Sequence, residues 1–197
     1  MNAVSAVFLP LSILITAAIT PGPNNVIVMR QAARRDHRRL FASILIISVS
    51  GTAMTMFAYA ALGVGPPRWA IPIATAAGSL LLVWLAWRGW TTAGQDGPDQ
   101  LGDRPSVVLA FQLLNPKGWL LAILVATSAA ASGLRLWALG ILVAVTLALC
   151  LSLWAAAGAL MTKWLHEGQR RAVFDRVTAV MMAVFAALFA TQLVTWG

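Results

Sequence analysis

The sequence has few of the residues that form disulfides, metal sites or catalytic centres. Its 197 residues include one cysteine, two histidines and six acidic residues. A single cysteine, Cys150, excludes an intrachain disulfide. A metal site needs several converging His, Cys or carboxylate ligands, and hydrolysis inside an apolar segment needs an embedded base. We therefore expect no enzymatic activity, no resident metal and no cofactor.

Acidic residues are also missing from the interior of the apolar stretches. All six fall in polar connections or at the end of an apolar stretch: Asp36, Asp96, Asp99, Asp103, Glu167 and Asp175. The sequence therefore predicts no buried carboxylate and no relay of acids for protons. The net charge of +8 comes from basic residues scattered over short connections. Because they do not cluster on one polar face, we expect no nucleic-acid partner.

Apolar residues dominate the chain. Hydrophobic residues make up 60% of it and charged residues only 10%, which is typical of an integral membrane protein. A helix needs about 20 apolar residues to cross about 30 Å of hydrocarbon. Six stretches are long enough: 5–29, 40–63, 69–90, 106–131, 136–160 and 174–196. We therefore predict an all-α membrane protein, a single transmembrane domain over residues 1–197 with six helices in the lipid bilayer.

The basic residues predict the orientation of these helices. Eleven of the 14 lie in or beside the connections that follow the first, third and fifth stretches, and only Arg68 and Arg135 lie on the other side. Connections rich in Lys and Arg are cytoplasmic by the positive-inside rule. We therefore expect a multi-pass protein of the bacterial inner membrane with both termini outside the cytoplasm.

Prolines interrupt the first and the fourth apolar stretch. Residues 20–25 (TPGPNN) lie in the first, and Pro116 lies in the fourth. Proline lacks an N–H and clashes with the carbonyl four residues earlier, so helices 1 and 4 should be broken there. Non-helical backbone at membrane depth is tolerated only where it is buried in protein or lines a wet cavity. The two breaks are therefore candidates for a binding site.

The two halves of the chain have the same layout. Repeat 1 covers about 1–92, repeat 2 covers about 105–197, and a polar cytoplasmic loop, 91–105, joins them. Each repeat contains three apolar stretches, of which the first is interrupted. Because three is odd, the repeats should be inverted relative to each other. Interrupted helices at corresponding positions of inverted repeats indicate the substrate site of a secondary transporter.

Lys117 is the basic residue that lies deepest in an apolar stretch. It lies about 16 Å along a helix that begins near residue 106. A cation there costs about 2.5–3.5 kcal/mol, which favours a functional role; the alternative is that its side chain extends to the membrane surface. The candidate substrate-binding residues are Thr20, Pro21, Gly22, Pro23, Asn24, Asn25, Gln112, Asn115, Pro116 and Lys117.

The chemistry of a small amino acid suggests roles for these residues. Asn24 and Asn25 could cap the half-helix that begins after Pro23, whose positive end suits a carboxylate. Pro116 should free the carbonyl of Gln112, which with other oxygens would accept hydrogen bonds from an ammonium group.

Three motifs resemble the LysE/RhtB family of amino-acid exporters. They are TPGPNN at 20–25 followed by an arginine-rich loop, LNPK at 114–117, and VWLAW at 83–87. The resemblance extends over essentially the whole chain. It implies export of small amino acids or derivatives, of the cysteine/O-acetylserine or threonine/homoserine type, by alternating access. TPGPNN and the AFQ before LLN are most similar to the cysteine/O-acetylserine branch.

One departure from the family leaves the coupling open. Many members have an acidic residue early in the second span, whereas residues 47–52 (ISVSGT) contain none. Coupling to protons and uncoupled transport are therefore both compatible with the sequence, as is a homodimer. Two other functions also remain: an ion or metal exporter of the same superfamily, and a non-transporting membrane scaffold subunit.

Overall fold

The structure, a computed structural model, describes residues 3–62, 70–94, 104–162 and 168–195. Within these ranges the chain forms helices and no strands. The helices are α1 (Ala3–Ile19), α2 (Pro23–Ala33), α3 (His37–Ala60), α4 (Ala70–Thr91), α5 (Pro105–Leu114), α6 (Pro116–Ala131), α7 (Leu136–Leu160) and α8 (Gly168–Thr195). The prediction of an all-α fold is confirmed for this part of the chain.

The helices follow the predicted apolar stretches closely. The first and fourth stretches each form two helices, and the fifth coincides with α7. By length and composition α3 and α7 can each cross a membrane, and α1–α2 and α5–α6 each qualify if the bent pair is one span. Up to four spans are therefore supported in the described ranges. The count of six, which would add α4 and α8, stays a prediction.

Both predicted breaks are present and have a local cause. The axes of α1 and α2 differ by 57°, and those of α5 and α6 by 60°. Each second helix starts with a proline, which suits the first helical position because its missing N–H would be unpaired there anyway. The residue before each proline is pushed out of the helical region: Gly22 has φ −159° and ψ 169°, and Asn115 has φ −77° and ψ 107°.

The two second half-helices also end in the same kind of turn. After α2, Arg35 has a positive φ of 58°, and after α6, Gly133 has a φ of 69°. In each turn the next residue, Asp36 or Leu134, donates its N–H back to the final turn of the helix, at 3.0 and 2.9 Å. This geometry provides hydrogen-bond donors for the last carbonyl groups of a helix, which have no partners within the helix. A long helix follows each turn, α3 in one case and α7 in the other.

Several helix contacts of one part of the chain recur in the other part, whereas the contact of α1 with α6 has no comparable counterpart between α5 and α2 in the described residues. Helix α2 packs on α7, and correspondingly α6 packs on α3. Helix α1 also packs on α7, and correspondingly α5 packs on α3. Helices α3 and α7 pack on each other at the centre. Helices α4 and α8 form an extensive pair. One apolar cluster includes Val26, Ile47 and Phe111, and another includes Leu14, Val125 and Leu139. These clusters hold the half-helices against the central pair.

The outer surface is strongly apolar. Large side chains on several helices are well exposed: Phe41 is 71% exposed, Leu80 70%, Phe8 70% and Leu160 84%. An apolar face of this extent would be unfavourable in water, and it is typical of helices that face lipid. The surface therefore supports a multi-pass membrane protein.

The expectation of no buried carboxylate is wrong. Asp175 in α8 is fully buried, and the Arg34 guanidinium lies 2.7 Å from both of its oxygens. Asp36 caps α3 and accepts the N–H of Arg39, and its side chain is 36% exposed. The other four acidic residues lie outside the described residues: Asp96, Asp99, Asp103 and Glu167.

Candidate functional site

A cavity of about 80 Å³ lies between the two helix breaks. Its walls come from α1, α2, α3, α5, α6 and α7, and members of both main apolar clusters bound it. Eight of the ten predicted site residues line it: Thr20, Gly22, Pro23, Asn24, Asn25, Gln112, Asn115 and Lys117. The structure therefore brings together residues from both halves of the sequence.

The two remaining predicted residues, Pro21 and Pro116, are not among the described lining residues. Pro21 is exposed and is not part of the lining. Pro116 opens α6, and its side chain lies outside the described residues. Both prolines shape the breaks through their backbone.

A direct hydrogen bond joins the two breaks. The side-chain nitrogen of Asn24 donates to Oε1 of Gln112 at 2.7 Å. The Asn24 Oδ1 atom is buried, and it has no hydrogen-bond partner in the described structure. Among the described residues, the hydrogen-bond acceptor of the Gln112 nitrogen is the sulfur of Met54, at 3.9 Å, which is a weak acceptor. Each amide therefore keeps one polar group for a ligand: an acceptor on Asn24 and a donor on Gln112.

Asn25 has a structural role at the first break. Its side-chain nitrogen donates to the carbonyls of Ala18 and Thr20, at 3.1 and 3.0 Å. These bonds satisfy backbone groups that the break leaves without helical partners. The predicted capping of α2 by Asn24 or Asn25 is wrong, because Gly22 is the N-cap residue and α2 has no side-chain cap.

The second break is capped by its own asparagine. Asn115 is the N-cap of α6, and its Oδ1 accepts the N–H of Lys117 at 3.1 Å. The expected free carbonyl of Gln112 is not free, since it accepts the N–H of Asn115 at 3.4 Å. The Thr20 hydroxyl donates to the carbonyl of Thr16 at 2.6 Å, so its proton is also used within the chain.

Positive charge converges on the cavity. Lys117 lines it, and the ammonium nitrogen is so close to Gly22 that an added Cβ there would lie 3.4 Å from it. Both α2 and α6 also begin at the cavity, where helix N-termini present unpaired N–H groups and a partial positive charge. No acidic residue is among the described lining residues. The site is therefore suited to an anionic group.

Some wall residues were not among the predicted site residues. Gly51 in α3 leaves room for the Leu147 side chain of α7, because a Cβ there would lie 2.7 Å from it. Gly118 in α6 also lines the cavity, and a Cβ there would be in ordinary contact with Met54, at 3.5 Å. A glycine inside an apolar helix is the only sequence signal for such a close approach. It does not reveal the partner.

Comparison with known proteins identifies the family. The family model described as LysE type translocator matches residues 15–193. No curated protein and no solved structure matches the chain. The match covers both helix breaks, the cavity between them and every described helix at least in part. The chain therefore belongs to the LysE type translocator family, whose members are transporters that export amino acids or related compounds.

Proposed function

We propose that the protein is a secondary transporter that exports small amino acids or their derivatives across the bacterial inner membrane. The observation that carries this proposal is the electropositive cavity between the two breaks, with Lys117 and no acidic residue among its described lining residues. Lys117 is partly buried, and a cation in such a place without a carboxylate partner among the described residues favours a ligand that brings its own negative charge. The carboxylate of an amino acid does so.

The polar groups of the cavity also suit the other end of an amino acid. The substrate carboxylate would bind Lys117 and the N-terminus of α2, and the ammonium group would donate to Oδ1 of Asn24. That oxygen is buried and unpartnered, so occupancy would remove the cost of an unsatisfied acceptor. The side-chain nitrogen of Gln112 would donate to a polar substrate side chain. The candidate site thus has an acceptor, a cation and a neutral donor around one small volume.

The size of the cavity limits the substrate. At about 80 Å³ it is much smaller than the roughly 300–1,000 Å³ of pockets for drug-sized ligands. The volume therefore favours small amino acids over large ones. The resemblance to the LysE/RhtB family supplies the candidates, which are cysteine, O-acetylserine, threonine and homoserine, and the cysteine/O-acetylserine branch remains part of this proposal.

Reciprocal packing supports a mechanism of alternating access. The pairs α2–α7 and α6–α3 correspond to each other, as do α1–α7 and α5–α3. A two-fold relation between inverted repeats would produce this pattern. The substrate would lie at the repeat interface while one half rocks against the other. Both termini would be outside the cytoplasm, coupling to protons is left open, and a homodimer is compatible with the fold.

Efflux from proteoliposomes tests the proposal. Vesicles loaded with each radiolabelled candidate amino acid would be compared with and without an imposed pH gradient, for the parent protein and for Lys117→Met. We expect efflux by the parent and a loss of at least about tenfold, or about 1.4 kcal/mol, in Lys117→Met. The matched control is Arg135→Met, because Arg135 is an exposed cation at the start of α7 that does not line the cavity.

Each outcome of this experiment has a distinct meaning. Gradient-dependent efflux would support coupling to protons, and equal efflux in both conditions would support uncoupled transport. No efflux of any candidate by folded protein would contradict the proposal and favour an ion exporter or a scaffold subunit. Full activity of Lys117→Met would contradict the role of Lys117.

A further inference from the structure

Helix α2 connects the candidate site to the buried carboxylate of α8. It begins with Pro23 at the cavity and ends at Ala33, one residue before Arg34. Its 11 residues cover about 16 Å at 1.5 Å per residue. A movement at one end of this rigid segment must therefore appear at the other end. This makes the contacts at the Arg34 end relevant to the site.

The contacts at that end form a clasp, which we define as Asp175, Arg30, Arg34 and the backbone N–H of Gly94. Arg34 Nη2 lies 2.7 Å from both oxygens of Asp175, and Arg30 Nε lies 3.6 Å from one of them. The Gly94 N–H donates to the same carboxylate at 3.1 Å. Asp175 has no exposed side-chain surface, and Arg34 is only 11% exposed. The clasp therefore ties α2 to both α8 and the end of α4.

A buried ion pair of this kind is strong only while it is complete. Loss of one partner leaves an uncompensated charge in a dry environment. Such a contact is favourable in two arrangements: closed with all its bonds, as in this structure, or open with its charges in water. A conformational switch requires a contact with two stable arrangements and a rigid element that connects this contact to the site.

Helix α2 is also held by apolar packing, since Val26 and Val28 belong to one buried cluster with Leu151 of α7. The break at residues 20–22 separates α2 from α1 with non-helical backbone. On its other side, α2 lies against Gly158 of α7, where the Met29 carbonyl approaches so closely that a Cβ would lie 2.1 Å from its oxygen. This contact is close packing without charged groups. Among the described residues, the clasp adds ionic contacts at the C-terminal end of α2.

In the described ranges, the corresponding end of the other half-helix has a neutral attachment instead of an ionic one. After α6, the described contact is a single neutral hydrogen bond from the Tyr59 hydroxyl to the carbonyl of Leu134, at 3.0 Å. The two ends of the molecule are thus closed by different chemistry. An ionic closure on one side and a neutral closure on the other would let the two sides open independently.

We propose that Arg34 and Asp175 are positioning residues of the transport cycle. Their ion pair holds α2 against α4 and α8 while the cavity is closed to the cytoplasm. The pair separates when the cavity opens to the cytoplasm. This inference rests on the proposed function and deepens it by naming the contact that regulates access to the same site. It also gives Asp175 a role that does not require it to carry protons.

Thiol accessibility tests the proposal without any substrate. The reporter is Ala122→Cys in the cavity wall, in a background in which the only cysteine is removed by Cys150→Ser. A membrane-impermeant maleimide is applied from the cytoplasmic side of oriented vesicles. We expect Asp175→Asn to raise the labelling rate at least about fivefold, and the charge exchange Arg34→Asp with Asp175→Arg to restore the slow rate.

The matched control is Asp36→Asn, which removes a carboxylate that pairs only with Arg39 close by in sequence. Its labelling rate should equal that of the parent. Equal rates for Asp175→Asn and the parent would overturn the proposal, and so would a charge exchange that fails to restore the slow rate in folded protein. Because labelling needs no transport, this result is independent of whether any amino acid is exported.

A cross-link covers the case in which Asp175→Asn does not fold. Ala33 and Phe174 are buried in one cluster beside the clasp. Cysteines at both positions, joined by a short bis-thiosulfonate, would fix α2 to α8. We expect efflux to stop in the cross-linked protein and to recover after reduction. Continued efflux by fully cross-linked protein would overturn the proposal.

Discussion

The side chains of Asn24 and Gln112 are 88 positions apart in the sequence and share a hydrogen bond of 2.7 Å. Among the described residues, this hydrogen bond links the two helix breaks directly. It closes the cavity from two sides and orients one unpaired group of each amide. A substrate that binds both groups would therefore sense the relative position of the two halves of the chain.

The first prediction concerns this bond. Asn24→Leu replaces the amide with an apolar side chain of similar size and leaves Oε1 of Gln112 without its donor, so it should destabilise the protein by about 1–3 kcal/mol. The double variant Asn24→Leu, Gln112→Leu should lose less than the sum of the single losses, with a coupling of about 0.5–3 kcal/mol. Thermal unfolding in detergent measures all three variants.

Transport should be lost in all three, because each removes a proposed ligand. The control is Thr127→Val, since Thr127 is exposed on α6 and donates only to its own helix, to the carbonyl of Ile123. Additive losses of stability would show that the two amides do not interact, contrary to the prediction.

The second prediction concerns the approach of Lys117 to Gly22. Gly22→Ala should fold normally, because its extended backbone, with φ −159°, suits any residue. The new methyl group would lie 3.4 Å from the ammonium nitrogen and occupy space beside it that the proposed substrate carboxylate would need. We expect the apparent substrate affinity to fall about tenfold, equivalent to about 1.4 kcal/mol.

The affinity would be measured from the concentration dependence of uptake into counter-loaded vesicles. Gly140→Ala is the matched control: its methyl would meet the flexible Met56 side chain at 3.1 Å, and it does not line the cavity. Unchanged affinity in Gly22→Ala would argue against a carboxylate site at Lys117.

The third prediction concerns the contact of α2 with α7. In Gly158→Ala the added Cβ would lie 2.1 Å from the Met29 carbonyl oxygen, which belongs to the backbone and cannot rotate away. The helix must shift, at a cost of about 1–3 kcal/mol. A lower Tm is expected, whereas Ala157→Val at the exposed neighbouring position should leave it nearly unchanged. A Tm equal to that of the parent would contradict the close packing of the two helices.

The fourth prediction concerns the two matching turns. Arg35 adopts a positive φ of 58° that favours glycine, and this conformation costs an ordinary residue about 1–2 kcal/mol. Arg35→Gly should therefore stabilise the protein by up to about 1 kcal/mol, and Gly133→Ala should destabilise it by about 1 kcal/mol. Chemical denaturation would measure both. Opposite signs of the two changes are the expected result, and equal signs would contradict the assigned turn geometry.

The sequence predicts features that depend on local backbone chemistry. The prolines locate both breaks, because loss of an N–H and a ring clash act within a few residues. Local chemistry also explains the error in capping. An asparagine directly before the proline becomes the N-cap, as Asn115 does, whereas in the first break Gly22 holds that position. Asn24 and Asn25 come after the proline. Their side chains bond to Gln112 and to the carbonyls of Ala18 and Thr20 instead of capping α2.

Contacts between distant segments could not be predicted in the same way. Asp175 follows Arg170 and Arg171 and precedes Arg176, a pattern typical of a solvated helix end. It is buried because α2 and the end of α4 cover it. That burial depends on how helices far apart in sequence pack, and residue spacing carries no signal for it. The partner of Asn24 is hidden for the same reason.

The single cation of the cavity has an electrical consequence. Since no acidic residue lies among the described lining residues, the cavity without substrate carries the positive charge of Lys117. An elementary charge that crosses the full membrane field gains or loses about 2.3 kcal/mol per 100 mV. An interior-negative voltage would hold the empty site toward the cytoplasm. A bound monoanion would cancel that force, whereas a zwitterion would not. The voltage dependence of turnover should therefore differ between anionic and zwitterionic substrates, and it would reveal how much of the field Lys117 crosses in each cycle.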